Sequence, residues 1–128
     1  MNTTLEHLNI TVTDPNRTAV RLVDLFGWTV RWKGSSMGGT TIHVGGPENG
    51  DGYVAIYTTD EPPVETSRSG NIGSLNHIGV VVDDLDVVEQ RILAYGFETN
   101  THGDYEPGRR FYFEDEDRIE YEVVSYNR

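Results

Sequence analysis

Apolar and polar residues alternate over residues 7–13: Leu8, Ile10 and Val12 fall on one face, His7, Asn9, Thr11 and Thr13 on the other. That period of two predicts a half-buried strand. Asp14-Pro15-Asn16 is a turn and helix-start signal. Beyond it Ala19, Leu22, Val23, Leu25 and Phe26 form an apolar stripe at helical spacing, and Gly27 ends it. Strands are predicted over 28–32, 40–44 and 53–58, separated by turns at 34–39 and 47–52. The same order then returns. A strand over 76–82 leads through Asp83-Asp84 into a helix over 85–95, and Gly96 stops that helix. Strands over 97–100, 110–113 and 118–126 follow. A loop over 102–108 leaves His102 in solvent, and a tight acidic turn spans 114–117.

The recurrence is also literal. Leu5-Glu6-His7-Leu8-Asn9-Ile10-Thr11-Val12 matches Leu75-Asn76-His77-Ile78-Gly79-Val80-Val81-Val82, and Phe26-Gly27-Trp28 matches Tyr95-Gly96-Phe97. A period of about 70 residues is too long for a solenoid and indicates a duplicated half-domain. The expected organisation is one domain over 1–128, with module one at 1–60, a linker at 61–73 and module two at 74–128. Each βαβββ module alone is near the lower size limit for stability. The two are expected to share their sheets in one α+β open barrel, with the helices outside and a concave interior.

Composition narrows the partners. The net charge of -11, from 21 acidic and 10 basic residues, disfavours nucleic acid and anionic membranes. The absence of cysteine removes disulfides, thiolate ligands and thiol nucleophiles. With no long apolar run and no basic-then-apolar start, neither a membrane span nor a signal peptide is expected, and a cytoplasmic setting follows.

Strand alternation assigns the faces. If Leu8, Ile10, Val12, Val54, Ile56, Ile78, Val80, Val82, Ile119, Tyr121 and Val123 pack under the helices, then His7, Asn9, Ala55, Tyr57, His77, Glu120 and Glu122 look inward. Thr41 and His43 join them, and Phe111 and Phe113 are expected at the matching positions of the second module as an aromatic wall. Two imidazoles and a carboxylate make the facial triad of open-site divalent metals. A carboxylate on a buried inner face is costly without a cation. Alternation does not choose between Glu120 and Glu122. Each residue also has a plainer reading: a hydrogen-bonded surface histidine, core packing for Tyr57 and the phenylalanines, solvated surface for Arg109 and Arg110.

The paired Leu-x-His-x-x-Ile/Val strands, the two helix endings and the closing segment Phe113 to Tyr121 resemble the vicinal oxygen chelate superfamily. That superfamily comprises glyoxalase I, extradiol dioxygenases, fosfomycin-resistance enzymes and bleomycin-binding proteins. The closing segment is similar to the family ending F-x-D-P-D-G-N-x-I-E-F, with its turn shortened and its Pro and Gly absent. The resemblance implies a metal on His7, His77 and Glu120, with Glu122 as the alternative carboxylate. Aligning Val54-Ala55-Ile56 with Ile119-Glu120-Tyr121 puts Ala55 where glyoxalase I has a fourth ligand. That leaves the three-ligand pattern of the ring-cleaving dioxygenases.

The implied function is a metal-dependent lyase or dioxygenase that chelates adjacent oxygens of a small substrate. Fe(II) or Mn(II) suits the triad best, with Zn(II) and Ni(II) open. Glu122, Tyr57 and His43 are the candidate catalytic groups, and Asn9, Thr41, Phe111 and Phe113 the candidate substrate contacts. The family also implies a homodimer. The rival expectation is a metal-free drug-binding protein of the bleomycin-resistance type.

Overall fold

A computed structural model describes residues 2–61, 71–105 and 108–127. The chain divides into two compact units, Met1–Glu65 and Thr66–Arg128. The expected linker over 61–73 falls largely outside the described residues.

Unit one runs β1 (His7–Thr11), α1 (Pro15–Phe26), β2 (Thr29–Ser36), β3 (Gly39–Gly45) and β4 (Tyr53–Thr59). Its sheet has the order β1-β4-β3-β2. β1 and β4 pair in parallel, in the register His7↔Tyr53, Asn9↔Ala55, Thr11↔Tyr57. The other pairs are antiparallel. The Asp14 side chain caps α1 by accepting from Arg17 N, Pro15 occupies the first turn, and Gly27 closes the helix at φ 71°. Leu22 and Leu25 of α1 are buried with Ile10, Ile42, Val44, Val54 and Ile56. Each such side chain contributes roughly 1.5–3 kcal/mol.

Unit two repeats the order: β5 (Ile78–Val81), α2 (Leu85–Ala94), β6 (Thr99–Tyr105), β7 (Gly108–Glu114) and β8 (Glu120–Ser125), in a sheet ordered β5-β8-β7-β6. β5 and β8 are the parallel pair, with Gly79↔Glu122 in register. Asp84 caps α2 through Val87 N. Val88 and Ile92 are buried with Ile78, Val80, Tyr121 and Val123. The tandem βαβββ expectation therefore holds unit by unit.

Several boundaries differ from the expected ones. β2 continues through Gly34, Ser35 and Ser36, because the true turn is only Met37-Gly38, both at positive φ (49° and 72°). Two left-handed residues match the twist of a tight hairpin. Most of the expected loop at 102–108 is strand. Its polar sequence hides this because β6 shifts register between Asn100 and Gly103, and Thr101 lies at φ 54°. His102 is exposed as expected, but its Nε2 lies 2.6 Å from Glu89 Oε2 on α2. Leu8, assigned to the buried face, is exposed, and the burial of β1 rests on Ile10.

Gly39 and Gly108 begin the third strand of their units, and each lets a neighbouring backbone approach. An added Cβ would lie 1.9 Å from Thr58 O at Gly39 and 2.3 Å from Ser125 O at Gly108. Gly39→Ala and Gly108→Ala should each lower stability by about 1–3 kcal/mol through overpacking. The change is read as a lower urea midpoint with unchanged slope. A midpoint equal to wild type would disprove the close approach.

Candidate functional site

In unit one the strand register gathers four rings on the sheet face opposite α1. His7 stacks on Tyr53 (centroids 4.9 Å apart, planes 14° apart), Tyr53 on His43 (4.5 Å, 29°), and His43 leans on Trp32 (5.0 Å). The row crosses β1, β4, β3 and β2 in sheet order. A register shift between Val30 and Trp32 brings the adjacent Arg31 over Tyr53, at 5.0 Å from its centroid. Glu6 Oε1 accepts from His7 Nδ1 at 2.7 Å and from the Tyr53 hydroxyl at 3.2 Å. These two bonds hold the Glu6 carboxyl below its usual range. Burial, and after it the nearby His7 and Arg31, hold the His43 imidazole below its ordinary value of 6.5.

The remaining unit-one candidates sit on the same strands. Asn9 is exposed in register with Ala55. Thr41 is buried, and its hydroxyl has no hydrogen-bond partner among the described residues. Tyr57, opposite Thr41 in register, donates its hydroxyl to Met37 O at 2.6 Å, so the phenol braces the β2–β3 hairpin.

In unit two the face opposite α2 carries charge. His77 Nε2 lies 3.3 Å from Glu122 Oε1, and His77 Nδ1 lies 2.7 Å from Asn76 Oδ1. The other carboxylate oxygen, Glu122 Oε2, accepts from Arg110 Nη1 at 2.9 Å and from the Tyr112 hydroxyl at 3.0 Å. Burial raises the Glu122 pKa, but the bonds from Tyr112 and Arg110 outweigh it and the carboxyl stays below its usual range. Arg110 also stacks on Tyr105, 4.8 Å from the ring centroid. Glu120 lies on the same face, two residues back along β8 and opposite Glu114 in register.

Phe111 and Phe113 correct the expected wall. Both are fully buried on the helix-packed face, in register with Val123 and Tyr121, and Phe113 stacks on Tyr121 at 4.8 Å. Arg110 and Tyr112 take the face assigned to them. The alternation Arg-Phe-Tyr-Phe carries that signal, but two aromatic residues flanking Tyr112 suit either face by hydropathy alone.

The turn before β8 is another correction. Asp115, buried, accepts from Asp117 N (2.9 Å) and Ile119 N (3.0 Å) through its Oδ1. Arg118 lies at φ 64°. Counting from Phe113, Asp115 and Asp117 meet the two aspartates of the family ending, and left-handed Arg118 stands where that ending has Gly. The turn has its full length.

The sequence model described as the Glyoxalase/Bleomycin resistance protein/Dioxygenase superfamily matches residues 4–123. The chain belongs to this superfamily. Its fold is similar to a glyoxylase/bleomycin resistance protein/dioxygenase domain from Frankia sp. EAN1pec, at 20% identity and TM-score 0.82 over 98% of this chain and 93% of that one. It is also similar to the fosfomycin resistance protein FosX from Listeria monocytogenes, at 22% identity and TM-score 0.72 over 98% and 94%. FosX from Mesorhizobium loti gives 24% identity and TM-score 0.69 over 97% and 92%. At these identities the likeness shows the fold. No curated protein matches the chain.

The two units of this superfamily member can be equated residue by residue through their registers. His7 corresponds to His77 and Asn9 to Gly79, so Ala55, the partner of Asn9, corresponds to Glu122, the partner of Gly79. The sequence alignment equating Ala55 with Glu120 is off by two residues. His43 then corresponds to Tyr112, and Thr41 to Arg110. Among the described residues no three His, Asp or Glu side chains are grouped as a metal centre. The His77 Nε2–Glu122 Oε1 separation of 3.3 Å fits one edge of such a centre: two ligands about 2.1 Å from one ion lie about 3.0–3.5 Å apart.

His43 should titrate below 6.5 in an NMR pH series. Because burial is the largest cause, Arg31→Met should raise the midpoint without restoring it to 6.5. The unfolded chain then takes up this proton first, so the site should cost stability as pH falls below about 6.5. A His43 midpoint at or above 6.5 would contradict the burial argument.

Proposed function

We propose that this chain is a metal-dependent enzyme in which His77 and Glu122 hold a divalent cation that chelates adjacent oxygens of a small substrate, with His7, at the equivalent position of unit one, as the corresponding candidate ligand. The observation that carries the reading is the juxtaposition of His77 Nε2 and Glu122 Oε1 at 3.3 Å. Arg110 and Tyr112 pin the opposite carboxylate oxygen and leave Oε1 directed at the imidazole. Glu122 is preferred to Glu120 on two grounds. It is the carboxylate beside His77 Nε2, and it falls on the glutamate of the family ending once Arg118 is counted at the Gly position.

Mn(II) is the first ion to test, since FosX of Listeria monocytogenes has been solved in complex with Mn(II). Fe(II), Zn(II) and Ni(II) follow. When bound, the cation supplies Lewis acidity that polarises the substrate oxygens. The chain's own residues do the rest. His43, kept neutral by its surroundings, is the candidate base, and Asn9 and Thr41 are the candidate polar contacts to substrate. The Tyr57 hydroxyl is committed to Met37 O and is assigned a bracing role. Extradiol ring cleavage is the finer form of the proposal and a lyase reaction its alternative. A cytoplasmic homodimer belongs to the same reading.

One observation favours the second reading, a metal-free protein that binds a small molecule. Glu122 already has a cationic partner in Arg110, so its carboxylate is neutralised without an ion.

Elemental analysis after reconstitution with Mn, Fe, Ni and Zn decides between them. One ion per site, reduced at least about tenfold in affinity by His77→Ala and by Glu122→Gln but retained in Glu120→Gln, is the expected result. Loss in Glu120→Gln with retention in Glu122→Gln moves the carboxylate ligand back to Glu120. A wild-type protein that stays empty supports the binding-protein reading.

A further inference from the structure

Each unit places an oxygen-bearing side chain immediately before its strand-start histidine, and each uses it in the same way. Glu6 Oε1 lies 2.7 Å from His7 Nδ1, and Asn76 Oδ1 lies 2.7 Å from His77 Nδ1. A carboxylate or an amide carbonyl oxygen only accepts, so in both contacts Nδ1 must carry the proton. In a neutral imidazole the other nitrogen, Nε2, is then left with its lone pair. In unit two that nitrogen is the one beside Glu122 Oε1.

We propose that Glu6 and Asn76 are positioning residues that lock His7 and His77 in the Nδ1–H tautomer, so that each imidazole keeps a bare Nε2 as a metal ligand. The role rests on the metal reading above. The two locks are not equal. Asn76 is neutral, whereas Glu6 carries charge and is itself steadied by the Tyr53 hydroxyl at 3.2 Å, on the ring that stacks against His7. An acceptor that is anionic raises the basicity of the nitrogen across the ring. Glu6 is accordingly the more consequential of the two locks. The dipeptides Glu6-His7 and Asn76-His77 show that chemically different acceptors fill one structural role.

The first measurement needs no metal. In the full chain, 15N-labelled at histidine and held at pH 8, long-range proton–nitrogen NMR correlations should report Nδ1–H at both His7 and His77. Glu6→Ala should shift His7 toward the Nε2–H tautomer and leave His77 unchanged. Glu6→Gln, which retains an accepting oxygen, should keep His7 as Nδ1–H. Titration of the same proteins with Mn(II) should show about 10–100-fold weaker binding in Glu6→Ala and a smaller loss in Glu6→Gln. Nε2–H at His7 in the wild type overturns the proposal, as does a Glu6→Ala protein with unchanged tautomer and Mn(II) affinity. A wild type that takes up no Mn(II) overturns the metal reading instead, while the NMR result still decides whether Glu6 sets the tautomer.

Discussion

In each unit the parallel pairing of the first strand with the last determines which side chains can cooperate. Side chains alternate along a strand with a period of two, so one register fixes the membership of a whole face. Gly79↔Glu122 brings the carboxylate of β8 within reach of the histidine at the head of β5, and Asn9↔Ala55 sets the aromatic row of unit one beside a small residue. A slip of one residue along β8 would exchange Glu122 for Tyr121 or Val123 and send the charge into the helix-packed core. The buried apolar residues of β8, fixed under α2, therefore also fix the chemistry on the opposite face.

The modules share a scaffold and divide its chemistry. The positions held by His43, Ala55 and Thr41 in unit one are Tyr112, Glu122 and Arg110 in unit two. The first set gives a stacked imidazole–phenol surface with little fixed charge beyond Glu6 and Arg31. The second gives a carboxylate clamped between a guanidinium and a phenol. Apart from His7 and His77, features kept in both modules include backbone requirements: capping aspartates at Asp14 and Asp84, and glycines at Gly39 and Gly108 where strands crowd. Backbone constraints tolerate few substitutes, whereas a side chain on an open sheet face can change without disturbing the core.

Legibility in the sequence follows the same division. Alternation around Ile10, Val80 and Val123 and the stripe Ala19-Leu22-Leu25 placed the strands, helices and module order, because burial imposes those periods. The two histidines were legible through the repeat. Phe111 and Phe113 were misassigned because hydropathy cannot separate a core phenylalanine from a cavity-lining one. Arg110 was read as solvated surface and Tyr112 was missed as a consequence. The equation of Ala55 with Glu120 failed because local sequence similarity does not encode strand pairing, and the turn at Asp115–Arg118 looked short because its left-handed residue is not glycine. β6 was truncated for a related reason, since the irregular step at Thr101 breaks the alternation on which a strand is recognised.

That turn has an evolutionary side. A left-handed arginine carries a backbone cost of about 1–2 kcal/mol that glycine would not, and every arginine codon is a single base change from a glycine codon. Arg118 thus leaves this chain one nucleotide from relief of that backbone strain, immediately upstream of the strand that bears Glu122. Descendants of this gene can firm up that loop in a single step, with Glu122 itself left untouched.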